Sequence, residues 1–470
     1  MLAAVIKGPT IEAAQEEMGK ALPYADLFEL RLDFFDEGAL SHLSEIASPL
    51  PLIFTFRKKE QRGARSISES DRLKKIEELL ALGPAYCDLE ADTDPAFLKK
   101  IGKKFPKIQL IGSFHDFERT PEDLKSLFKE MQNPHFSIYK IGAYAQSTID
   151  LLRLMAFAQE TPNLSCIAMG ECGQPSRVLG AVVGNVIDYA SLDGDQETLF
   201  QYSLKTLHDR FHYRSLNQKT EIFALIGNPV VHSPGDLFHN EVFQKKGRNA
   251  VYVKLRLDPH ELAPFFQLMR VLPFRGLSVT IPLKEAILPF LDQIDLLSRE
   301  IGAVNTITIH HRKSLGTNTD APGALNAIEK HLKVKNRKVA ILGAGGTARA
   351  VAYQAKKRGA HVSIFNRTLD RAQSLASELG VAAYPITAIA SYSYDLLINT
   401  IPPTGQSEAM FEMPSSCTVM DVVCHPKETP ILKAAKRRGC PCIYGDEMFI
   451  EQANLQQLQW DKSLYPDYIL

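Results

Sequence analysis

Lys140 stands in the middle of FSIYKIGA, residues 136–143, a run whose β-branched and aromatic residues read as a buried strand. An ammonium there must find a partner or lose its proton, because an unpaired buried charge is too costly. A lysine driven toward the neutral amine is a nucleophile. A lysine near a strand end can also lay its stem on apolar surface and keep its head in water, so Lys140 alone leaves both readings open. Its company narrows them: Glu29 and Arg31, Arg57, Asp88 and Glu90, and His115 all fall at or near the C-terminal ends of other apolar runs. Arginines beside a lysine would hold an anionic substrate such as a carboxylate, and their field disfavours the ammonium. Such a set can form a Schiff base with a ketone, which acidifies the adjacent carbon. A histidine such as His115 can take that proton and return one to a leaving hydroxyl, and the sum is a dehydration.

Eight strand-like runs precede residue 193: LAAVIKG, ADLFELRLD, PLIFTFR, AYCDLE, IQLIGSFHD, FSIYKIGA, LSCIAMG and NVIDYASL. Most are separated by amphipathic stretches such as SDRLKKIEELLALG, with apolar residues at three- and four-residue spacing. Eight strand–helix repeats predict a (β/α)8 barrel, whose active sites lie at the C-terminal rim of the strands.

After a polar stretch ending at Thr220 the pattern restarts with EIFALIGNPVVHS, which marks a domain boundary. In KVAILGAGGTARAVAYQAKKRG, Gly343, Gly345 and Ala348 give the G-x-G-x-x-G/A spacing between a strand and a helix. Such glycines let a pyrophosphate approach the helix N-terminus, although a Gly-rich turn can also be a packing device. The next strand, HVSIFNRT, ends in Asn366 and Arg367 with Arg371 close behind, where an NAD site would carry an acid; this predicts a 2′-phosphate and hence NADP. Between 221 and 320, Ser233, Thr280, Asn305 and Asp320 offer hydrogen bonds to a small polyhydroxylated molecule, and Lys284 with Asp320 could move the proton that a carbonyl needs when it accepts hydride. A capping NTD turn and a surface lysine would be the plainer account of that last pair.

Lys+Arg and Asp+Glu are balanced at 54 each, so no basic excess points to nucleic acid or a membrane surface. The seven cysteines show no paired CxxC spacing for a metal or redox site, and Cys440 and Cys442 suit alternate positions of a strand. A reduced, cytoplasmic protein is expected. The opening MLAAVIKGPT is too short for a signal h-region, and no 18-residue apolar run occurs.

The stretches FELRLD, FTFR, GSFHDFERTP, YKIGAYAQS and MGECGQPSRVLG resemble the type I 3-dehydroquinate dehydratases, to about residue 190. That resemblance implies Lys140 as the Schiff-base residue, His115 as general acid and base, and Glu29, Arg31, Arg57 and Arg177 around the substrate. The acid that orients the histidine, usually in a Glu-Gly-Gly context, is matched only by Glu60 in KKEQRG; the usual closing loop Ser-Ala-Pro-Gly-Gln is replaced by ETLFQ, which leaves Gln201. GNPVVHS, GLSVTIPLKEAI, IGAVNTI and GTNTDAPG, within residues 221–460, resemble the shikimate dehydrogenases. This second resemblance implies Lys284 and Asp320 as the catalytic pair and Ser233, Thr280, Asn305 and Gln452 around the substrate. It also implies that Gly343, Ala344, Gly345, Gly346, Thr347 and Ala348, then Asn366, Arg367, Thr368 and Arg371, with Gly445, surround NADP. Here too there are departures: Gly235 and Asp236 stand where a serine and a proline are usual, and Cys424 replaces a tyrosine.

The expected architecture is α/β: a barrel over 1–214, a substrate domain over 219–330 completed by a terminal helix at 447–470, and a Rossmann domain over 331–446. The two halves would catalyse consecutive steps on small molecules, dehydration of 3-dehydroquinate and NADPH-dependent reduction of 3-dehydroshikimate to shikimate. A quinate-directed enzyme of catabolism and a non-catalytic sensor of the same intermediates are the alternatives.

Overall fold

The computed structural model describes residues 1–194, 200–402 and 412–462. Residues 197–199 of ETLFQ and the last eight residues of the expected terminal helix lie outside the described residues. The chain forms two compact units, one of Met1–Ile222 with residues 240–255 and 264–273, the other of the remaining residues from Phe223 onward.

The first unit contains eight parallel strands: β1 (Leu2–Ile6), β2 (Leu27–Arg31), β3 (Leu52–Thr55), β4 (Tyr86–Glu90), β5 (Gln109–Asp116), β6 (Ile138–Tyr144), β7 (Leu164–Met169) and β8 (Asp188–Ala190). They follow the order β7-β6-β5-β4-β3-β2-β1-β8, one strand for each expected run. The result is a nearly closed barrel with a seam between β7 and β8. Side chains satisfy the backbone at that seam. Asn185 accepts from the Cys166 amide and donates to its carbonyl, each at 3.0 Å, and Ser165 Oγ accepts from Ile187 N at 3.0 Å.

Strand alternation converts this barrel into a site. Ala3, Leu27, Ile53, Ile111, Ile138, Ile167 and Ile187 form one buried cluster with Tyr189, and each buried isoleucine of such a plug contributes about 1.5–3 kcal/mol. Two residues further along each strand a side chain again faces inward, and there the types change to Glu29, Thr55, Ser113 and Lys140. Two further still come Arg31, Arg57, His115 and Gly142. The register steps between the layers where Glu29 pairs with Ile53 and Asp88 with Ile111, and runs level where Ser113 pairs with Lys140.

The second half opens with β9 (Glu221–Gly227), followed by β10 (Ala250–Arg256), β11 (Phe274–Val279), β12 (Gln293–Ile294), β13 (Thr306–His310) and β14 (Lys313–Thr317). In the second unit β9, β11, β13, β14 and β12 lie side by side in one sheet. A separate sheet comprises β15 (Lys338–Leu342), β16 (His361–Asn366), β17 (Ala382–Pro385), β18 (Leu396–Asn399), β19 (Thr418–Asp421) and β20 (Cys442–Ile443). Its parallel order β17-β16-β15-β18-β19-β20 reverses direction at β15, which is the Rossmann arrangement. The helix Gly445–Lys462 returns to the first of these sheets: Gln456 bonds Ser278 at 3.0 Å and Thr306 at 3.1 Å, and Trp460 Nε1 donates to Ile307 O at 3.1 Å. No helix among the described residues is long and apolar enough to cross a membrane.

Candidate active sites

A cavity of about 680 Å³ opens at the C-terminal rim of the barrel, lined by Glu29, Arg31, Arg57, His115, Lys140, Arg177 and Gln201 among others. All seven barrel residues expected at a site therefore share one space. Asp88 and Glu90, also expected at the rim, instead lie beneath it, each 1% exposed.

That lower position gives them a different task. Lys140 Nζ donates to Asp88, stands 3.8 Å from Glu29 and lies over the Tyr189 ring at 4.2 Å. Two of the acids expected at the rim, Asp88 and Glu29, thus lie against the lysine itself. Arg57 spans the same layer, 3.1 Å from Asp88 and donating to Ser113 Oγ at 2.7 Å, while Ser113 itself donates to Asp88 at 2.7 Å. Behind it, Glu90 sits 3.6 Å from Arg57 and 3.0 Å from Arg72, which reaches in from the helix Glu69–Leu80. Burial alone would raise the Asp88 carboxyl, but the charges of Arg57 and then Lys140 overturn this and hold it well below the usual carboxylate range. The network fixes two cations on the cavity floor. Higher up, Arg31 is gripped by both oxygens of Asp33 at 3.0 and 2.9 Å, and Glu29 accepts from Thr55 at 2.8 Å.

His115 is held differently. Its Nδ1 meets Gln61 Oε1 at 3.0 Å, and Phe117 stacks beside the ring with 5.8 Å between centroids. Burial, then the charges of Arg57 and Lys140, push its pKa well below the ordinary 6.5, so the ring is a neutral base at neutral pH. Glu60, the sequence match for the orienting acid, is exposed; Gln61 has the place. The turn explains why. Arg62 adopts φ +59°, and a Cβ on Gly63 would stand 2.2 Å from the Arg57 carbonyl, so the chain folds back sharply and aims Gln61 inward. Gln61 and Tyr189 are the site residues that sequence reasoning missed. The available signals were the glycine two residues beyond Gln61 and the inward alternation of Tyr189 with the plug residue Ile187.

In the second unit Lys284 Nζ donates to Asp320 at 2.6 Å and to Thr347 Oγ1 at 2.9 Å. Asp320 is the first residue of the helix Asp320–Glu329, where the N-terminal dipole favours a carboxylate, and its other oxygen accepts from Asn305 at 2.8 Å. Gln452 approaches Asn305 at 3.5 Å. Lys284, Asp320, Asn305, Gln452 and Thr347 thus form one cluster. Ser233 and Thr280 engage locally: Ser233 Oγ accepts from Gly235 N at 3.2 Å, and Thr280 N donates to Ile226 O at 2.9 Å. Asp236 is buried at the start of the helix Gly235–Lys245, and burial raises the Cys424 thiol to about 12.

The Gly-rich turn leads from β15 into the helix Gly346–Lys357. Gly343 has φ +111°, and a Cβ there would lie 2.3 Å from Thr400 Oγ1, whereas a Cβ on Gly345 would point into open space. Ala344, Gly346 and Ala348 complete the turn, with Gly346 packed on Lys284. Asn366 bonds the Thr368 carbonyl at 2.9 Å, and Arg367 and Arg371 are exposed with no acid at the end of β16. A free helix N-terminus, a close-approach glycine and two arginines fit a dinucleotide bearing an extra phosphate. Gly445 lies with its Cα against Val423, where a Cβ would meet the carbonyl at 2.4 Å, so backbone packing explains that glycine.

Comparison with known proteins places both halves. Family models described as type I 3-dehydroquinase, shikimate dehydrogenase substrate binding domain and shikimate / quinate 5-dehydrogenase match residues 2–218, 225–307 and 326–402. The chain is 35% identical to the shikimate biosynthesis protein AroDE of Chlamydia pneumoniae, covering all of this chain and 96% of that protein. It is 34% identical to the chloroplastic bifunctional 3-dehydroquinate dehydratase/shikimate dehydrogenase of Arabidopsis thaliana, over 96% of this chain and 80% of that one. The second half is 36% identical to a shikimate dehydrogenase (NADP(+)) of Syntrophobacter fumaroxidans, over 52% of this chain and 87% of that one.

Proposed function

The chain belongs to the bifunctional 3-dehydroquinate dehydratase/shikimate dehydrogenases, and from that premise we propose how its residues divide the work. It dehydrates 3-dehydroquinate and reduces the product, 3-dehydroshikimate, to shikimate with NADPH. The proposed division follows the expected boundaries: barrel over 1–214, substrate domain over 219–330 with the terminal helix, NADP domain over 331–446.

In the barrel, Asp88 takes a proton from the Lys140 ammonium, the free amine attacks the ketone carbon, and the same proton leaves with the carbinolamine hydroxyl as water to give a protonated imine, with Arg57, Arg31 and Arg177 holding the substrate carboxylate and hydroxyls. The imine draws electrons from the adjacent carbon, and His115 Nε2 removes a proton there. The imidazolium returns that proton to the departing hydroxyl, the carbon–carbon double bond forms, and hydrolysis frees Lys140. Asp88 and Glu29 keep Nζ on the floor beneath the ketone. The observation that carries this reading is that Lys140 and His115, from neighbouring strands, open on one cavity with Arg57.

In the second unit Lys284 and Asp320 donate and relay the proton that the carbonyl oxygen takes up, and Asn305 and Gln452 orient the hydroxylated ring. NADPH, when bound, supplies hydride to the carbonyl carbon. The Lys284–Thr347 bond ties the catalytic lysine to the loop that would carry the pyrophosphate, so placing that loop also sets the proton donor. The free thiols of Cys87, Cys166, Cys417, Cys424, Cys440 and Cys442 support a reducing compartment such as the cytoplasm. A sensor would need no proton-transfer groups, and this chain keeps Lys284 bonded to Asp320 and places His115 and Lys140 on one cavity.

Supplying 3-dehydroquinate and NADPH together tests the assignment: shikimate should form, and omission of NADPH should stop the reaction at 3-dehydroshikimate. Consumption of neither substrate refutes it, and oxidation of quinate as fast as shikimate would favour the quinate-directed reading.

A further inference from the structure

The loop after β3 does more than connect. Lys59–Gln61 forms one short helical turn, Arg62 reverses the chain through a left-handed conformation, and Gly63 closes it against the Arg57 carbonyl. The consequence is a clamp on His115 from two sides. Gln61 Oε1 lies 3.0 Å from Nδ1, and Phe117, itself covered by the Arg62 guanidinium at 4.3 Å, lies parallel to the imidazole. On the strand beside it, Gly142 leaves no Cβ in the ring's place.

An amide oxygen can only accept, so the contact puts the hydrogen on Nδ1 and the lone pair on Nε2. The charged groups that act most strongly on this ring are Arg57 beyond β3, Lys140 on β6, the carboxylate Asp88 on β4 and Arg31 on β2, and Glu29, Arg62 and Arg177 line the same cavity. Gln61 adds nothing to that balance. We propose that Gln61 is the positioning residue of the dehydratase base: it selects the Nδ1–H tautomer and fixes the ring plane, and as a neutral partner it adds no negative charge that would favour the imidazolium. Glutamate at this position would make the same hydrogen bond and change the charge. The base in this chain is therefore tuned for proton abstraction at lower pH than a carboxylate-backed histidine would allow.

The inference rests on the dehydratase reading, and one set of measurements separates the two. Dehydratase pH profiles would be recorded for the full chain and for Gln61→Glu and Gln61→Ala, with borohydride trapping of the Lys140 imine in each. In Gln61→Glu the acid limb of kcat/KM should move upward by about one pH unit or more. In Gln61→Ala kcat should fall about 10-fold or more while KM and imine trapping hold, because the lysine is in place and the base is not. An unchanged acid limb in Gln61→Glu together with unchanged kcat in Gln61→Ala overturns the proposal. A wild-type chain that forms no imine would sink the dehydratase reading itself.

Discussion

Replacing Gly142 by alanine puts a methyl group where the His115 ring now lies. Gly142 follows Lys140 by two residues on β6 and faces the same interior, and a Cβ built there would stand 2.8 Å from Cδ2 and 3.5 Å from Nε2 of His115. Ordinary contact begins at 3.4 Å, so the ring must retreat by about 0.6 Å. It has little freedom to do so, with Phe117 stacked beside it and Gln61 at 3.0 Å from Nδ1. A shift of that size away from Gln61 would stretch the contact to about 3.6 Å, no longer a hydrogen bond. Misplacement of a reacting group by an ångström costs about 100-fold, so a loss of about 10- to 100-fold in dehydratase kcat is expected. The backbone at 142 is ordinary strand, so the substitution strains nothing else. The assay is the ultraviolet absorbance of the enone product at saturating 3-dehydroquinate. Two controls accompany it: imine trapping at Lys140, and the dehydrogenase activity of the same chain, which should be unchanged. A kcat within about twofold of wild type would refute the claim that the ring's present position matters to catalysis.

Further outcomes follow from the charges and contacts around both sites. Because the folded His115 titrates well below 6.5 while the unfolded chain takes up a proton near that value, folding stability should fall as pH drops through about 6.5. The dehydratase kcat/KM should show no acid limb at 6.5 from this group, since the neutral base persists below it; a limb centred there, together with pH-independent stability in urea titrations, would contradict the assigned environment. Lys284→Met should lower dehydrogenase kcat by about 10²–10⁴-fold and leave the barrel's activity untouched, read by accumulation of 3-dehydroshikimate. Arg367→Asp should weaken NADP by about 10- to 150-fold, the worth of a charge-assisted hydrogen bond, and improve NAD, read by KM for each cofactor.

The barrel was legible because parallel strands buried on both faces read as near-continuous apolar runs, and each of the eight runs became a strand. Alternation then carried the site residues: once Ile53 belongs to the plug, Arg57 must face the rim. What the sequence could not show are contacts made across strands and turns. Asp88 looked like another rim acid, yet it lies under Lys140 as its partner, a pairing across the intervening strand β5 that composition does not encode. Glu60 was the natural match for an orienting acid by residue type, and a left-handed Arg62 with a tightly packed Gly63 decided for Gln61 instead. In the second unit the Lys284–Asp320 pair was readable from residue type, while its tie to Thr347 of the cofactor loop emerged only from the fold.

The central claim is that Lys140 becomes an imine. Peptide mass after borohydride reduction of the chain with 3-dehydroquinate, beside Lys140→Ala, tests it most directly. The account predicts a stable adduct on the peptide carrying Lys140 and none in the variant. Turnover of 3-dehydroquinate by the wild-type chain with no trapped adduct, or an adduct that survives in Lys140→Ala, would contradict it.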